Sequence, residues 1–173
     1  PDMVHCESYS ARAPIHGWRI LPHRHRQLAQ LFVIQDGEVW TKVDGAGFTL
    51  NSRKILFIPQ YCVHEFKFET DTEGQVISFA AGMIRAATDG SSALGGILSR
   101  PFTGSLSSPL ETLVLQLKDL QERRGPFHQS ASVGLAQTVL SLTAEMAEET
   151  AQGTPISPRG RLQELDTLIL KQA

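Results

Sequence analysis

Short apolar runs and turn residues alternate through the first 81 residues, as they do in proteins built from β-strands. Asp36-Gly37 and Asp44-Gly45 favour tight hairpins, because aspartate and glycine tolerate a positive φ. Eight short runs at this regular spacing predict a small antiparallel β-barrel, or jelly roll. The predicted strands are residues 4–8, 18–21, 28–34, 38–43, 47–50, 55–58, 63–68 and 75–80.

Two of these predicted strands contain segments that are apolar at every position instead of at every second position. Residues 31–34 and 55–58 carry no polar side chain. A strand of this kind is buried on both faces. The barrel therefore needs cover on part of its outer surface, and we expect the second half of the chain to supply it.

Residues 82–150 predict helices that follow a loop. Glycines and serines are frequent at the start of this region, where we expect a loop with a short helical turn at 94–98. Residues 108–111 form a capping box with proline at the first helical position, and residues 123–126 end the helix that starts there. A second helix is predicted over residues 130–150.

The second predicted helix carries two adjacent apolar stripes. A face this wide packs on two surfaces, such as the barrel and a partner chain, or else lies buried within a single chain. Periodicity leaves both alternatives open. The stripes consist of Val133, Ala136, Leu140 and Thr143, and of Leu135, Val139, Leu142 and Met146.

The pattern divides the chain into three parts. We expect residues 1–81 to form a barrel, and residues 82–150 to form a loop and two helices that pack on the barrel. Residues 151–173 form a linker and the start of an amphipathic helix, which reaches Ala173 without a cap. We therefore expect the natural protein to continue beyond Ala173.

Composition narrows the class of protein further. Hydrophobic residues make up 41% and charged residues 20% of the 173 residues, which excludes a disordered chain. No apolar run is long enough to cross a membrane. The net charge of −2 argues against nucleic-acid binding by this chain alone. Cys6 and Cys62 do not form a CxxC pair, and we expect two free thiols in a reducing cytoplasm.

Three of the six histidines stand where strand geometry brings side chains together. Residues two apart on a strand share a face, so a His-x-His pair on one strand can point into the barrel, and Gln-x-Phe and His-x-Phe pairs on later strands can join it. Three imidazoles and a side-chain oxygen would suit a divalent transition metal such as Zn, Ni or Fe. The candidate metal ligands are His23, His25, Gln30 and His64, and Phe32 and Phe66 complete the candidate ligand-binding set.

This spacing resembles the two sequence motifs of the cupin superfamily. The first motif is a glycine, five residues, His-x-His, three or four residues, a glutamate, six residues and a glycine. Gly17, His23, His25 and Gly37 match it in register, and Gln30 stands where the family has glutamate.

The second cupin motif is degraded in this chain. It consists of a glycine, five residues, Pro-x-Gly, two residues and a histidine. Pro59 and His64 match it, whereas Arg53 and Tyr61 replace its two glycines. The resemblance covers about residues 15–80 and implies a mainly β protein with a cupin-like antiparallel barrel followed by C-terminal helices.

Gln30 changes the chemistry that the resemblance implies. A neutral amide is a weaker metal ligand than a carboxylate, and it removes a candidate general base. Three roles for the histidines therefore remain open. They hold a metal ion, they contact an effector directly without a metal, or they have a structural role in the barrel.

A cupin barrel followed by two long helices and a linker resembles the N-terminal sensing and dimerisation domain of AraC-family transcription regulators. The similar stretches are residues 4–25, 31–37 and 58–66. The subgroup nearest in appearance regulates the catabolism of hydroxylated aromatic acids such as 4-hydroxybenzoate and 4-hydroxyphenylacetate.

This second resemblance implies a cytoplasmic, non-catalytic domain. It would bind an aromatic-acid effector in the barrel and form a homodimer through its C-terminal helices. It would reach DNA only through a helix-turn-helix domain beyond residue 173.

Two other classes of function stay open. One is a metal-dependent cupin enzyme, such as a dioxygenase or an isomerase. The three-histidine register favours an enzyme, whereas Gln30 and the helices that end in a linker count against it. The other is a small-molecule-binding module with no role at DNA.

Overall fold

The computed structural model describes residues 2–14 and 17–150, which form two antiparallel sheets and a set of helices. Within these residues the strands are β1 (Val4–Ser8), β2 (Arg19–His23), β3 (Leu28–Asp36), β4 (Glu38–Val43), β5 (Ala46–Asn51), β6 (Lys54–Ile58), β7 (His64–Phe68), β8 (Glu73–Ala80) and β9 (Phe102–Ser105). The helices are α1 (Tyr9–Arg12), α2 (Ala81–Thr88), α3 (Ser92–Ile97), α4 (Ser108–Arg123) and α5 (His128–Thr150).

The strands divide into a large and a small sheet. The large sheet has five strands in the order β1-β8-β3-β6-β9, and the small sheet has four in the order β2-β7-β4-β5. The inner faces of the two sheets share one apolar core, to which Phe32 and Leu56 contribute from the large sheet and Val39 and Phe66 from the small one. The eight strands predicted from the sequence are all present, with ends that differ by a few residues.

The large sheet is buried on both faces, as its apolar strands predict. On β3, Phe32 and Ile34 enter the core between the sheets, whereas Leu31 and Val33 enter a second core on the opposite face. That second core lies against the helices, and it includes Val139 of α5. The prediction that the second half of the chain covers the barrel is therefore confirmed.

Helix α5 is the main cover of the large sheet, and both of its apolar stripes are used within the chain. Ala136, Val139 and Leu140 are fully buried. Leu135 and Met146 of the second stripe are partly buried against the same core. Packing inside a single chain thus accounts for most of the wide apolar face.

Helix α4 is tied to the edge of the large sheet by Gln121. The backbone N–H of Cys6 donates to Gln121 Oε1 at 2.8 Å, and Gln121 Nε2 donates to the carbonyl of Val4 at 2.9 Å. The side-chain amide thus takes the place of a neighbouring strand's peptide group along β1. This pairing reduces the exposure of an edge strand.

The expected capping box of α4 is wrong by one residue. Ser107, not Ser108, is the N-cap, and its Oγ accepts the N–H of Leu110 at 3.3 Å. Glu111 is therefore not the capping-box residue whose side chain would accept a hydrogen bond from the backbone N–H of the N-cap. It accepts hydrogen bonds from Arg53 and Gln35 and so joins α4 to the barrel.

Two elements lie in the stretch that the sequence predicts as a loop. Helix α2 follows β8 directly and buries Met83 and Ala87. Strand β9 pairs with β6 at the edge of the large sheet, with Gly104 opposite Ile55. The expected helical turn at 94–98 corresponds to α3. The predicted linker and helix of residues 151–173 lie outside the described residues.

Two further expectations concern the cysteines and membranes. Cys6 and Cys62 are buried thiols that form no disulfide bond with each other, and they lie on opposite sides of the large sheet. In the part of the chain that the structure describes, no helix is both long and apolar enough to span a bilayer.

Candidate metal and effector site

Three histidines meet where the small sheet faces the large one. His23 ends β2 and is the direct partner of His64, which begins β7. His25 lies two residues beyond the end of β2, so it belongs to the loop and not to the strand on which the spacing predicts it. Its carbonyl accepts the N–H of Tyr61 at 2.8 Å, which fixes this loop against the turn before β7. We call His23, His25 and His64 the histidine triad.

The triad is compact. The Nε2 atoms of His23 and His25 are 3.2 Å apart, and the ring centroids of His23 and His64 are 4.3 Å apart. One nitrogen from each of the three rings lies within 4.8 Å of the other two. His64 is buried, whereas His23 and His25 are half-buried. One side of the site thus opens toward solvent.

Backbone carbonyls orient two of the three rings. His64 Nδ1 donates to the carbonyl of Cys62 at 2.9 Å, and His23 Nδ1 donates to the carbonyl of Leu21 at 2.8 Å. A carbonyl can only accept, so Nδ1 carries the hydrogen and Nε2 keeps its lone pair in the neutral ring. This is the arrangement in which histidine binds a metal ion through Nε2.

His64 is held neutral by its surroundings. Its pKa is lowered to about 4, mainly because burial disfavours the charged ring. The nearby His23 and His25 also lower the pKa, whereas the hydrogen bond to the carbonyl of Cys62 raises it. Among the described residues, His64 Nε2 has no hydrogen-bond partner although it is buried. A buried acceptor without a partner is costly and needs an explanation.

The donor set fits a divalent transition metal. Nitrogens bound to Zn²⁺ lie about 2.0–2.1 Å from it, so the Nε2 atoms of His23 and His25, 3.2 Å apart, are close enough to share one ion. Neutral imidazoles also suit Ni and Fe, and the geometry does not choose between these metals. The triad could therefore hold a metal ion, and an ion there would satisfy His64 Nε2.

Gln30 faces the same interior from the large sheet. Its Nε2 donates to Ser78 Oγ at 3.0 Å, and its Oε1 is buried without a partner among the described residues. Gln30, His23 and Phe32 line a common cavity of about 20 Å³. The structure therefore brings the expected amide oxygen to the side of the triad.

Aromatic rings fill the space below the triad. The ring centroids of Phe32 and Phe66 are 4.2 Å apart, and those of Tyr9 and Phe68 are 4.9 Å apart. The 20 Å³ that remains has room for about one water molecule. An aromatic effector thus cannot lie deep in the barrel unless these rings move.

Tyr9 and Phe68 are parts of this wall that sequence reasoning missed. Phe68 stands two residues after Phe66 on β7, so strand alternation predicts that it faces the same interior. Tyr9 lies on the short helix α1, and its position in the sequence carries no such signal.

The positions of the missing cupin glycines keep a glycine-like backbone. Arg53 has φ of 66° and Tyr61 has φ of 69°, in the left-handed region that glycine adopts without strain. Gly17 and Gly37, which match the first motif, also have positive φ. The degraded second motif therefore retains its backbone conformation although its residues have changed.

Comparison with protein families places the chain in one family. The family model described as the AraC-like ligand binding domain matches residues 5–140, which include the whole triad and helix α4. The chain belongs to the AraC-like ligand-binding domain family. The prediction of a cupin-like antiparallel β-barrel, or jelly roll, followed by C-terminal helices is confirmed, with the strands arranged as a two-sheet β-sandwich. Membership of the AraC-like family favours a regulator over an enzyme.

Several solved structures are similar to part of this chain. KdgF from Halomonas sp. is 18% identical, with a TM-score of 0.34 over 35% of this chain and 56% of that one. A cupin-2 domain protein from Shewanella frigidimarina is 17% identical, with a TM-score of 0.32 over 34% and 58% of the two chains. A cupin protein from Bacteroides fragilis is 20% identical, with a TM-score of 0.33 over 38% and 58%. A search of the curated proteins finds no match.

Proposed function

We propose that this AraC-like domain senses a small aromatic acid for a transcription regulator, and that the acid binds at the histidine triad. The observation that carries the proposal is the pair of buried acceptors, His64 Nε2 and Gln30 Oε1, that lack partners within the described residues. Both belong to a site that lies inside the matched ligand-binding domain. A metal ion, or a ligand group that donates a hydrogen bond such as a phenol hydroxyl, would offset the cost of their burial.

Polar and aromatic residues would have different roles at this site. His23, His25, His64 and Gln30 would hold a Zn, Ni or Fe ion, which supplies a Lewis-acidic position for a carboxylate or phenolate oxygen. Without a metal, an N–H group of a half-buried imidazole would donate to the same oxygen. Phe32 and Phe66 would stack on the ring of the acid.

Binding at this site requires a rearrangement of the barrel. The cavity of about 20 Å³ is far smaller than an aromatic acid, so Phe32 and Phe66 must part to admit the ring. A ligand shifts the population toward the arrangement that binds it better. The effector would thereby change how the large sheet packs against α4 and α5.

The same proposal assigns the partners of the domain. Residues 1–81 would form the effector-binding unit, and residues 82–150 would pair with a second copy through the C-terminal helices. Residues 151–173 would lead to a helix-turn-helix domain beyond residue 173 that binds DNA. An effector that changes the helix arrangement would then change the spacing of the two DNA-binding units.

Calorimetric titration with 4-hydroxybenzoate tests the effector site. We expect saturable binding to the wild type, at least tenfold weaker binding to H64A and H25A, and little change in Q27A, which alters an exposed residue of the same loop. Equal affinity in all four proteins would reject the triad as the effector site.

Metal analysis tests the ion separately. We expect about one equivalent of Zn, Ni or Fe per chain after reconstitution, lost in H64A and kept in H128A, whose histidine lies at the start of α5. Effector binding that survives removal of the metal by a chelator would favour direct contact with the imidazoles.

The enzyme alternative rests on the same triad. A metal-loaded protein that turns over a catechol or a related substrate would favour a cupin dioxygenase over a sensor. Turnover must then disappear in H64A. The match to a ligand-binding domain of regulators supports the sensor as the first choice.

A further inference from the structure

His25 differs from the other two members of the histidine triad in what holds it in place. His23 ends β2 and His64 begins β7, so the small sheet positions both of these rings. His25 lies in the loop of residues 24–27, between β2 and β3. Side chains on loops are positioned less precisely than those on strands, so the place of His25 depends on what its loop contacts.

Three consecutive carbonyl groups of this loop accept hydrogen bonds from outside it. The carbonyl of His25 accepts the N–H of Tyr61 at 2.8 Å, and that of Gln27 accepts the first N–H of α2 at 2.9 Å. Between them, the carbonyl of Arg26 accepts a hydrogen bond from Gln60 Nε2 at 2.6 Å. We call these three hydrogen bonds the loop clamp. Gln60 contributes a side chain to the loop clamp, whereas the other two donors are backbone groups.

The turn that carries Gln60 also orients His64. Tyr61, the next residue, donates its N–H to the loop clamp, and the carbonyl of Cys62 accepts a hydrogen bond from His64 Nδ1 at 2.9 Å. Tyr61 adopts a left-handed φ of 69°, which a residue other than glycine keeps where its surroundings fix the backbone. One short turn therefore contacts the backbone of one triad member and the ring of another.

The hydrogen bond between His23 and His25 reports the position of the loop. His23 Nδ1 donates to the carbonyl of Leu21, so His23 Nε2 is an acceptor in the neutral ring. The hydrogen between the two Nε2 atoms, which are 3.2 Å apart, therefore belongs to His25 in the metal-free protein. If the loop shifts, His25 moves with it while His23 stays on β2, and this hydrogen bond is lost.

We propose that Gln60 is a positioning residue of the histidine triad. Its side-chain amide holds the loop of residues 24–27 against the turn before β7, so that the ring of His25 stays 4.8 Å from that of His23 and 5.5 Å from that of His64. Gln60 acts through His25 and not by binding the ligand itself. The inference rests on the proposed function, since it concerns how the triad is kept ready for an ion or an effector.

Long-range proton–nitrogen NMR spectra of the imidazole rings test the proposal in the metal-free 173-residue chain. In the wild type we expect the hydrogen on Nε2 of His25 and on Nδ1 of His23 and His64. Q60A removes the amide, and Q60E keeps its size but cannot donate at neutral pH. In both variants we expect His25 to lose its single tautomer while His64 keeps its own.

Two outcomes of these spectra would contradict the proposal. Unchanged signals of His25 in both variants would show that the loop holds its place without Gln60. Equal changes throughout the chain would show that Gln60 supports the whole fold and has no particular role at the triad.

Zinc titration gives a second measure of the same role. We expect Zn²⁺ to bind Q60A and Q60E about tenfold more weakly than the wild type, as when a group that orients a metal ligand is removed. Q27A, an exposed residue of the same loop, and Y61G, which keeps the N–H and eases the left-handed backbone, should bind zinc like the wild type.

The titration also separates this inference from the proposed function. Wild-type zinc affinity in Q60A and Q60E would overturn the positioning role and leave the triad as the site. A wild type that binds neither Zn²⁺ nor 4-hydroxybenzoate would reject the proposed function, whereas the imidazole spectra of the metal-free protein would still decide whether Gln60 positions His25.

Discussion

The large and small sheets differ in what covers their outer faces. Helices cover the large sheet, so β3, β6 and β8 are buried on both sides. The small sheet has no such cover along β4, whose side chains alternate between buried and exposed. The histidines that close the candidate site belong to the small sheet or to the loop that leaves it. The large sheet thus supplies most of the buried apolar surface, and the small sheet with its loop supplies the three histidines.

Removing a large ring from each sheet should give the largest difference between them. Phe57 on β6 is fully buried and stacks on Phe102 at 5.2 Å, whereas Trp40 on the outer face of β4 is 41% exposed. We expect F57A to cost about 4 kcal/mol of unfolding free energy and W40A about 1 kcal/mol or less. Urea denaturation measures both, and similar losses would mean that the small sheet is also covered.

Adding a methyl group to a strand glycine should also destabilise the large sheet much more than the small sheet. A Cβ on Gly74 of β8 would lie 2.0 Å from the carbonyl oxygen of Val33 and 2.4 Å from the Tyr9 ring. A Cβ on Gly47 of β5 would meet nothing nearer than Trp40 at 3.5 Å. We expect G74A to cost about 3 kcal/mol through overpacking, and G47A to be neutral within about 1 kcal/mol.

These two variants are a matched pair, since each adds a Cβ to a strand glycine. Thermal unfolding under one buffer condition compares them directly. A stable G74A would show that Tyr9 and β3 yield more readily than their burial implies.

His64 should make the stability of the metal-free protein depend on pH. Its folded pKa of about 4 lies below the ordinary value of 6.5, so between these values the unfolded chain binds a proton that the folded chain does not. The contribution of neutral His64 to the free energy of unfolding is fully present above the unfolded pKa. It is lost as the pH drops toward 4, and the loss is on the order of 3 kcal/mol. Urea denaturation of the wild type and H64Q over this range measures it, and parallel curves would contradict the assignment.

Replacing Glu111, which joins α4 to the barrel, should give the smallest change in the free energy of unfolding. Hydrogen bonds from Arg53 and Gln35 lower its pKa. An acid with a lowered pKa stabilises the fold above its unfolded pKa, and that contribution disappears as the pH falls through the folded value. We expect E111Q to cost less than about 1 kcal/mol near neutral pH, because the pair is partly exposed and screened.

E122Q is the control for this last variant, since Glu122 forms an exposed pair within α4. The difference between wild type and E111Q should vanish in strongly acidic buffer. A loss that persists in acid would come from packing and not from the charge of Glu111.

The local pattern of the sequence was enough to predict most of the barrel. Asp44-Gly45 formed a hairpin with positive φ at both residues, as predicted, because its geometry depends on those two residues alone. Helix α2 and β9 were missed because their placement depends on distant partners. The sequence FTGS of β9 has no alternation, and it becomes a strand through its pairing with β6.

The candidate site shows the same division. The His-x-His spacing and His64 predicted that three imidazoles would meet, and the structure brings them together. The expectation that His25 lies on a strand was wrong, because β2 ends at His23 and the loop turns His25 toward the other two rings. The partnership of Gln30 with Ser78 depends on the register of β3 and β8, which the sequence does not state.

The sequence by itself determined the apolar runs, the turns, the helical stripes and the types of side chain available for binding. These follow from interactions between residues close in the chain. The tertiary structure decided which face of the large sheet the helices cover and how little space remains beside the triad. Those features depend on how closely distant side chains pack, and close packing is a property of the folded chain as a whole.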